Sequence, residues 1–290
     1  MIGARDLLVV AIGGHALSSP AADATLAGER AAAAAAGLEL ARLATDRRLL
    51  LVHGNGPQVG RLLGDDASLD ELDIRVAQTQ GELGYLLASG LEAGADERVV
   101  ALLTRVRVEA GKVGDPEKPI GPILRERPGG PHTELSGGRG WRRTVPSPLP
   151  LEVLECAEIR TLLQTSHVVA GGGGGVPVAA DGTAVPGIVD KDRVAALLAI
   201  ELGAAALVIG TDVDAAYLEF DTPSARRIER LSPAEAERLL AGGAFAPGSM
   251  APKVASAAAF AAATGRPAVI AAMGQLGPAL AGRAGTLIQN

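Results

Sequence analysis

Aromatic side chains are nearly missing from this chain, which has one Trp, two Tyr and three Phe in 290 residues. A core must therefore be built from Ala, Val, Leu and Ile, and there are too few rings for the stacking platforms that hold single-stranded nucleic acid. Cysteine is scarcer still. Cys156 stands alone, which excludes an intrachain disulfide, leaves no Cys/His spacing for zinc and fits a reducing cytoplasm. No basic block is present, and a formal charge of -6 lacks the electrostatic footprint of a DNA, RNA or anionic-membrane binder. Long apolar runs are absent too. Leu7 to Ile12 is too short and too poorly flanked for a signal peptide, and no charge-free stretch spans a bilayer. The expectation is a protein neither exported nor embedded, with small molecules or proteins as partners.

What is present is enough apolar chain, 48% of residues, for one wide sheet domain or two closely joined lobes. Apolar runs of strand length at Leu7 to Ile12, Leu49 to Val52, Val99 to Leu103, His167 to Ala170, Ala206 to Ile209 and Ala268 to Ala271 alternate with longer helix-like stretches such as Leu26 to Asp46 and Arg193 to Leu202. The pattern predicts an α/β fold with parallel strands covered on both faces, in a central, open sheet. From Arg105 to Val145 the periodicity breaks into Gly, Pro, Arg and Glu, which reads as a movable flap over the site.

Glycine-rich turns follow the strands. Gly13-Gly14 follows the first, His53-Gly54-Asn55-Gly56-Pro57 the second, and Gly171 to Gly175 the run ending at Ala170. Such turns present backbone N–H groups to phosphate or carboxylate oxygens, and their repetition implies one shared anionic site. Each turn alone also fits a tight corner that needs positive φ. The glycines at Gly171 to Gly175 are contiguous and no GK[ST] follows, so neither the Walker A pattern nor the dinucleotide fingerprint is present.

The strings VAIGGHAL, HGNGPQVG, AQTQGELGY, KPIGP, WRRTVPSPLP, GGGGGVPV, IVDKD, TDVDAAYL and FAPGSMAPKV stand in the order found in carbamate kinases, and the chain resembles that family nearly end to end. The resemblance implies an amino-acid-kinase fold over 1–290, with a mainly parallel eight-stranded sheet between helices. It also implies an acid-substrate lobe at 1–165 that includes the flap 105–145, a nucleotide lobe at 166–290, and a homodimer. Carried over by motif, Lys191 and Lys253 bind the phosphoryl group in flight, Lys118 reaches in from the flap, and Asp192 orients the lysines. Gly13, Gly14, His15, Gly54, Asn55, Gly56, Gly172, Gly173 and Gly174 line the phosphate and acid site. Thr211, Asp212, Val213, Tyr217, Ala246, Gly248 and Met250, with Lys253, make the nucleotide pocket. The implied reaction exchanges ATP and carbamate with ADP and carbamoyl phosphate, in the cell towards ATP, with Mg²⁺ held chiefly by the nucleotide phosphates. Phosphoryl transfer to a carboxylate needs positioning and charge neutralisation but no general base, which suits lysines.

Other readings stand beside these. Without the motifs, the three lysines are solvated surface residues, and Asp192 and Asp212 also fit helix N-caps. Trp141-Arg142-Arg143 fits a structural brace as well as an anion contact. The chain departs from the family at His15, where the family has Asn. An imidazole there tightens an anion, reshapes the acid pocket or simply packs. A related kinase acting on another small carboxylate or phosphonate is the alternative that His15 and a short flap keep open.

Overall fold

Leu7–Ile12 (β1) is apolar throughout, and its side chains alternate between two separate cores. Leu8, Val10 and Ile12 enter one, Val9 and Ala11 the other. Arg48–His53 (β2) and Ala206–Thr211 (β11) divide in the same way, which is why these strands read as continuous hydrophobic runs. A computed structural model describes residues 6–17, 25–64, 69–109, 114–116, 118–135, 138, 140–220 and 222–290; for residues 15 and 16 only the backbone is described.

The central sheet has eight strands. β11, β1 and β2 lie at its middle, flanked by Val99–Ala101 (β3), His167–Val169 (β9), Arg230–Leu231 (β14), Ala268–Ala272 (β15) and Thr286–Ile288 (β16), in the order β14-β16-β15-β11-β1-β2-β9-β3. The six strands from β15 to β3 are parallel; β16 runs antiparallel to β15 and carries β14 beside it. One face is covered by Leu26–Ala44 (α1), Leu72–Glu92 (α3) and Leu276–Leu280 (α8), which contribute Leu40, Leu83, Leu87 and Leu276 to the core. The other is covered by Lys191–Leu202 (α5) and Met250–Thr264 (α7), with Val194, Leu198, Val254 and Phe260. At about 1.5–3 kcal/mol for each fully buried aliphatic side chain, the two aliphatic cores supply the driving force that aromatics supply elsewhere. The expected fold class is the one observed, and every expected strand is present.

The Arg105 to Val145 stretch differs from expectation in being largely strand. Arg105–Val108 (β4) joins Pro150–Val153 (β8) and Val176–Val178 (β10) in one small sheet; Lys118–Leu124 (β5), His132–Glu134 (β6) and Trp141–Val145 (β7) form another, in the order β5-β7-β6. These strands are short, half-exposed and broken by register shifts, so no clean period of two survives in the sequence. The β5 sheet is seated on Gly56–Leu63 (α2). A Cβ on Gly60 would lie 2.1 Å from the Gly121 Cα, so this close approach of two backbones requires glycine.

Candidate active site

In an open parallel sheet, ligands bind outside the carboxyl ends of the strands, where the connections diverge. β1 pairs with β2 on one side and β11 on the other, so the turns that follow these strands part around a common space. That space is a cleft of about 880 Å³ walled by Gly13, Gly14, Gly54, Asn55, Gly56, Gly173, Lys118, Lys191, Asp192, Thr211, Asp212, Ala246, Gly248 and Lys253 among others. Residues expected in one site from seven separate strings are thus brought together.

The charged centre is built at the start of α5. Asp190 caps the helix, its Oδ1 accepting from the backbone N–H groups of Asp192 at 2.9 Å and Arg193 at 3.3 Å. The N-cap is therefore Asp190, which frees the Asp192 carboxylate for its lysines. Lys191 Nζ donates to Asp192 Oδ1 at 2.6 Å, and Lys253 Nζ, carried on the first turns of α7, donates to Oδ2 at 2.9 Å. Lys118, the first residue of β5, reaches from the small sheet to Asp190 and closes an ion pair with it. All of this stands at the positive ends of two helices, where partial charges already favour anions.

Burial opposes each of these charges, and the pairings decide the outcome. Asp192 is pushed up by burial but held far below the ordinary carboxylate range by Lys191 and Lys253. Asp190 is likewise lowered, Lys118 overcoming its burial. The two lysines on Asp192 then part company. Burial takes Lys191 down to about 8 despite its carboxylate, with Lys253 repelling it further, whereas Asp192 outweighs burial at Lys253 and raises it. At neutral pH the cluster presents ammonium groups fixed by carboxylates, able to hold oxygens of a transferring phosphoryl group without reorganising.

At Gly54 and Gly173 the packing of the turns leaves no room for a side chain. A Cβ on Gly173, whose φ is 63°, would fall 2.1 Å from Asn55 Nδ2, and one on Gly54 would lie 2.7 Å from the Gly14 N. Asn55 is buried and its Nδ2 donates to Thr79 Oγ1 at 2.8 Å. Gly171 N donates to Thr104 Oγ1 at 2.9 Å, and Gln80 bonds the Thr104 backbone through both ends of its amide at 3.0 Å, tying the loop to α3. Gly172 and Gly174 are packed behind the wall, against His53 and Val189. His53 donates its Nδ1–H to the Gly54 carbonyl at 3.1 Å, and burial lowers it to about 4, so it is neutral. The side chain of His15 lies outside the described residues.

Val213, Tyr217 and Met250 are not on the cleft wall. The Tyr217 hydroxyl donates to Asp214 Oδ1 at 2.9 Å, and Met250 packs against the core. Sequence reasoning passed over Asp190, which no spacing rule separates from Asp192 within IVDKD, and over Thr79, Gln80 and Thr104, whose partners lie on other elements. It left Arg142 open; Arg142 is buried, on the wall, with Nε donating to the Gly121 carbonyl at 3.1 Å.

The sequence profile of the amino acid kinase family matches residues 6–272. The chain belongs to the amino acid kinase family. Among members of this family, the carbamate kinase of Escherichia coli K12 is 40% identical, with 97% of this chain and 98% of that protein covered. The carbamate kinase of Halobacterium salinarum is 39% identical over 83% of this chain and 84% of that one. The structure of the Giardia lamblia carbamate kinase bound to AMP-PNP superposes with a TM-score of 0.84 at 30% identity, covering 100% and 99% of the two chains. Among the described residues no helix is long and apolar enough to cross a membrane.

Proposed function

We propose that the chain is a carbamate kinase, moving a phosphoryl group between ATP and the carboxylate of carbamate and running in the cell towards ATP from carbamoyl phosphate. The observation that carries this reading is the Lys191–Asp192–Lys253 cluster, two ammonium groups set by one buried carboxylate at the N-termini of two helices, facing the glycine turns after β1, β2 and β9. The full-length likeness to carbamate kinases supports the choice of acid.

In this reading the acid lies by the Gly13, Gly54 and Asn55 turns and the nucleotide by Thr211, Asp212, Ala246 and Gly248, so transfer runs across the lysines. Lys191 and Lys253 hold the equatorial oxygens of the phosphoryl group, Lys118 reaches the same group from the β5 sheet, and Asp192 keeps two of the three lysines aimed. Charge stabilisation of this kind is worth about 10²–10³ in rate per donor. The carboxylates nearest the lysines are engaged by them, and Asp212 is the exposed carboxylate on the nucleotide side, placed to meet a Mg²⁺ carried on the nucleotide phosphates. A Mg²⁺ bound there would supply neutralisation of phosphate charge. The chain works in the cytoplasm as a homodimer; exposed Leu26 and Leu38 on α1 and Ile74 and Tyr85 on α3 are apolar contacts suited to a second copy.

The test is a substrate panel in which the purified protein, with ATP and Mg²⁺, is offered carbamate, acetate, larger carboxylates and a phosphonate while ADP release is followed. Carbamate is expected to be turned over fastest. A clear preference for another acid would replace carbamate in this reading and point to His15.

A further inference from the structure

Strand alternation on β7 sends Arg143 one way, where its Nη1 donates to the Gly64 carbonyl at 2.9 Å, and Arg142 and Thr144 the other. Both Arg142 and Thr144 are buried, at 7% and 5% exposure, and both are on the wall of the cleft. Each carries a polar atom with no hydrogen-bond partner among the described residues, Nη2 of Arg142 and Oγ1 of Thr144. Among the described residues Arg142 has one hydrogen bond, through Nε to Gly121, and no carboxylate pairs with it. Burial takes the guanidinium down only to about 10, so it remains a cation at neutral pH. Buried donors are ordinarily satisfied and buried charges ordinarily paired. Two orphaned groups on one strand face, opening on one cleft, mark the position of an absent acceptor.

The place of this pair narrows what that acceptor is. Arg142 Nη2 lies 3.7 Å from where a Cβ of Gly56 would stand, and Lys191 Cδ lies 3.1 Å from where a Cβ of Gly54 would stand. The turn Gly54 to Gly56 thus runs between the phosphoryl clamp at one end and Arg142 at the other.

The geometry points to Arg142 and Thr144 as the anchor of the acid substrate. The guanidinium donates to the carboxylate oxygen that is not phosphorylated, and the Thr144 hydroxyl bonds the same small planar group, so that the remaining oxygen faces Lys191. This deepens the carbamate kinase reading and rests on it for the identity of the acid. Both groups act on the acid and not on the nucleotide, and Thr144, able to donate or accept, suits a group that has an amide nitrogen beside its oxygens.

The experiment compares wild type, Arg142→Met and the near-isosteric Thr144→Val in two readouts. The first is steady-state ATP formation from ADP, Mg²⁺ and carbamoyl phosphate. The second is equilibrium titration with carbamoyl phosphate, followed by the fluorescence of Trp141, the single tryptophan, adjacent to Arg142. Arg142→Met is expected to raise the KM and Kd for carbamoyl phosphate about 10- to 100-fold, and Thr144→Val about 2- to 10-fold, as for loss of a charged and a neutral hydrogen bond. The KM for ADP should stay within about twofold, since uniform loss of acid binding leaves the nucleotide site alone. If Arg142 is only a brace for the β5 sheet through Gly121, thermal stability falls while Thr144→Val binds normally, or the ADP and carbamoyl phosphate constants move together; either result overturns the proposal. A wild type that binds carbamoyl phosphate without turning it over, with binding lost in both variants, would sink the carbamate kinase reading and leave the anchor standing.

Discussion

At the start of α5, Asp190, Lys191 and Asp192 are each buried with a counter-charge in place, whereas on β7 Arg142, also buried, has none among the described residues. The two regions face one cleft and handle charge differently, as the two proposed tasks require. A clamp for a migrating phosphoryl group must not reorganise during transfer, so its ammonium groups are fixed beforehand by carboxylates. A recognition group gains most when substrate supplies its missing partner, so an unpaired guanidinium is the better anchor. Lys118 stands between these cases, in the same small sheet as Arg142 but paired with Asp190.

The sharpest way to break the comparison is at Asp192. Asp192→Ala leaves two buried ammonium groups facing each other and should cost about 3–5 kcal/mol of stability, as for removal of one member of a buried ion cluster. Activity should fall by at least about 10²-fold with the aim of both lysines lost. Denaturant unfolding and kcat measured on the same sample check both. Lys118→Ala should lose activity by a similar factor and cost somewhat less stability, because Lys118 itself is partly exposed, although it leaves the buried Asp190 with only its helix-cap bonds. Gly173→Ala comes next; its positive φ and the 2.1 Å approach to Asn55 should cost about 1–3 kcal/mol and displace the turn, read as a lower melting temperature and a raised KM.

A smaller effect distinguishes the lysines by pH. Lys191 is lowered to about 8 by burial, so it is charged below that pH and neutral above it. In the free enzyme kcat/KM should therefore decline as pH rises through about 8. In the complex, bound phosphate favours the charged form, and the inflection in kcat should move higher. A profile flat to pH 10 in both would contradict the burial ascribed to Lys191. Thr144→Val is the smallest change and tests the orphaned side alone.

Much of this was legible in the sequence, for physical reasons. Strands covered on both faces must be apolar throughout, and close backbone turns favour glycine, so β1, β2, β9, β11 and β15, and the glycine turns after β1, β2 and β9, could be read directly. The edge strand β14 and its neighbour β16 could not, at two and three residues. Asp190 was obscured because both it and Asp192 match the helix-cap pattern, and only the fold shows which one caps. Lys118 meets Asp190 across 72 residues of chain, and the orphaned atoms of Arg142 and Thr144 are defined by what does not pack against them. Neither kind of fact has a local sequence signal.

The most direct test of the central claim is ATP formation from ADP, Mg²⁺ and carbamoyl phosphate, measured on the wild type and Lys191→Ala side by side. Ready turnover by the wild type and a loss of about 10²–10³-fold in kcat for the variant is the result predicted for a preorganised phosphoryl clamp. Equal rates in the two proteins, each correctly folded, would contradict it.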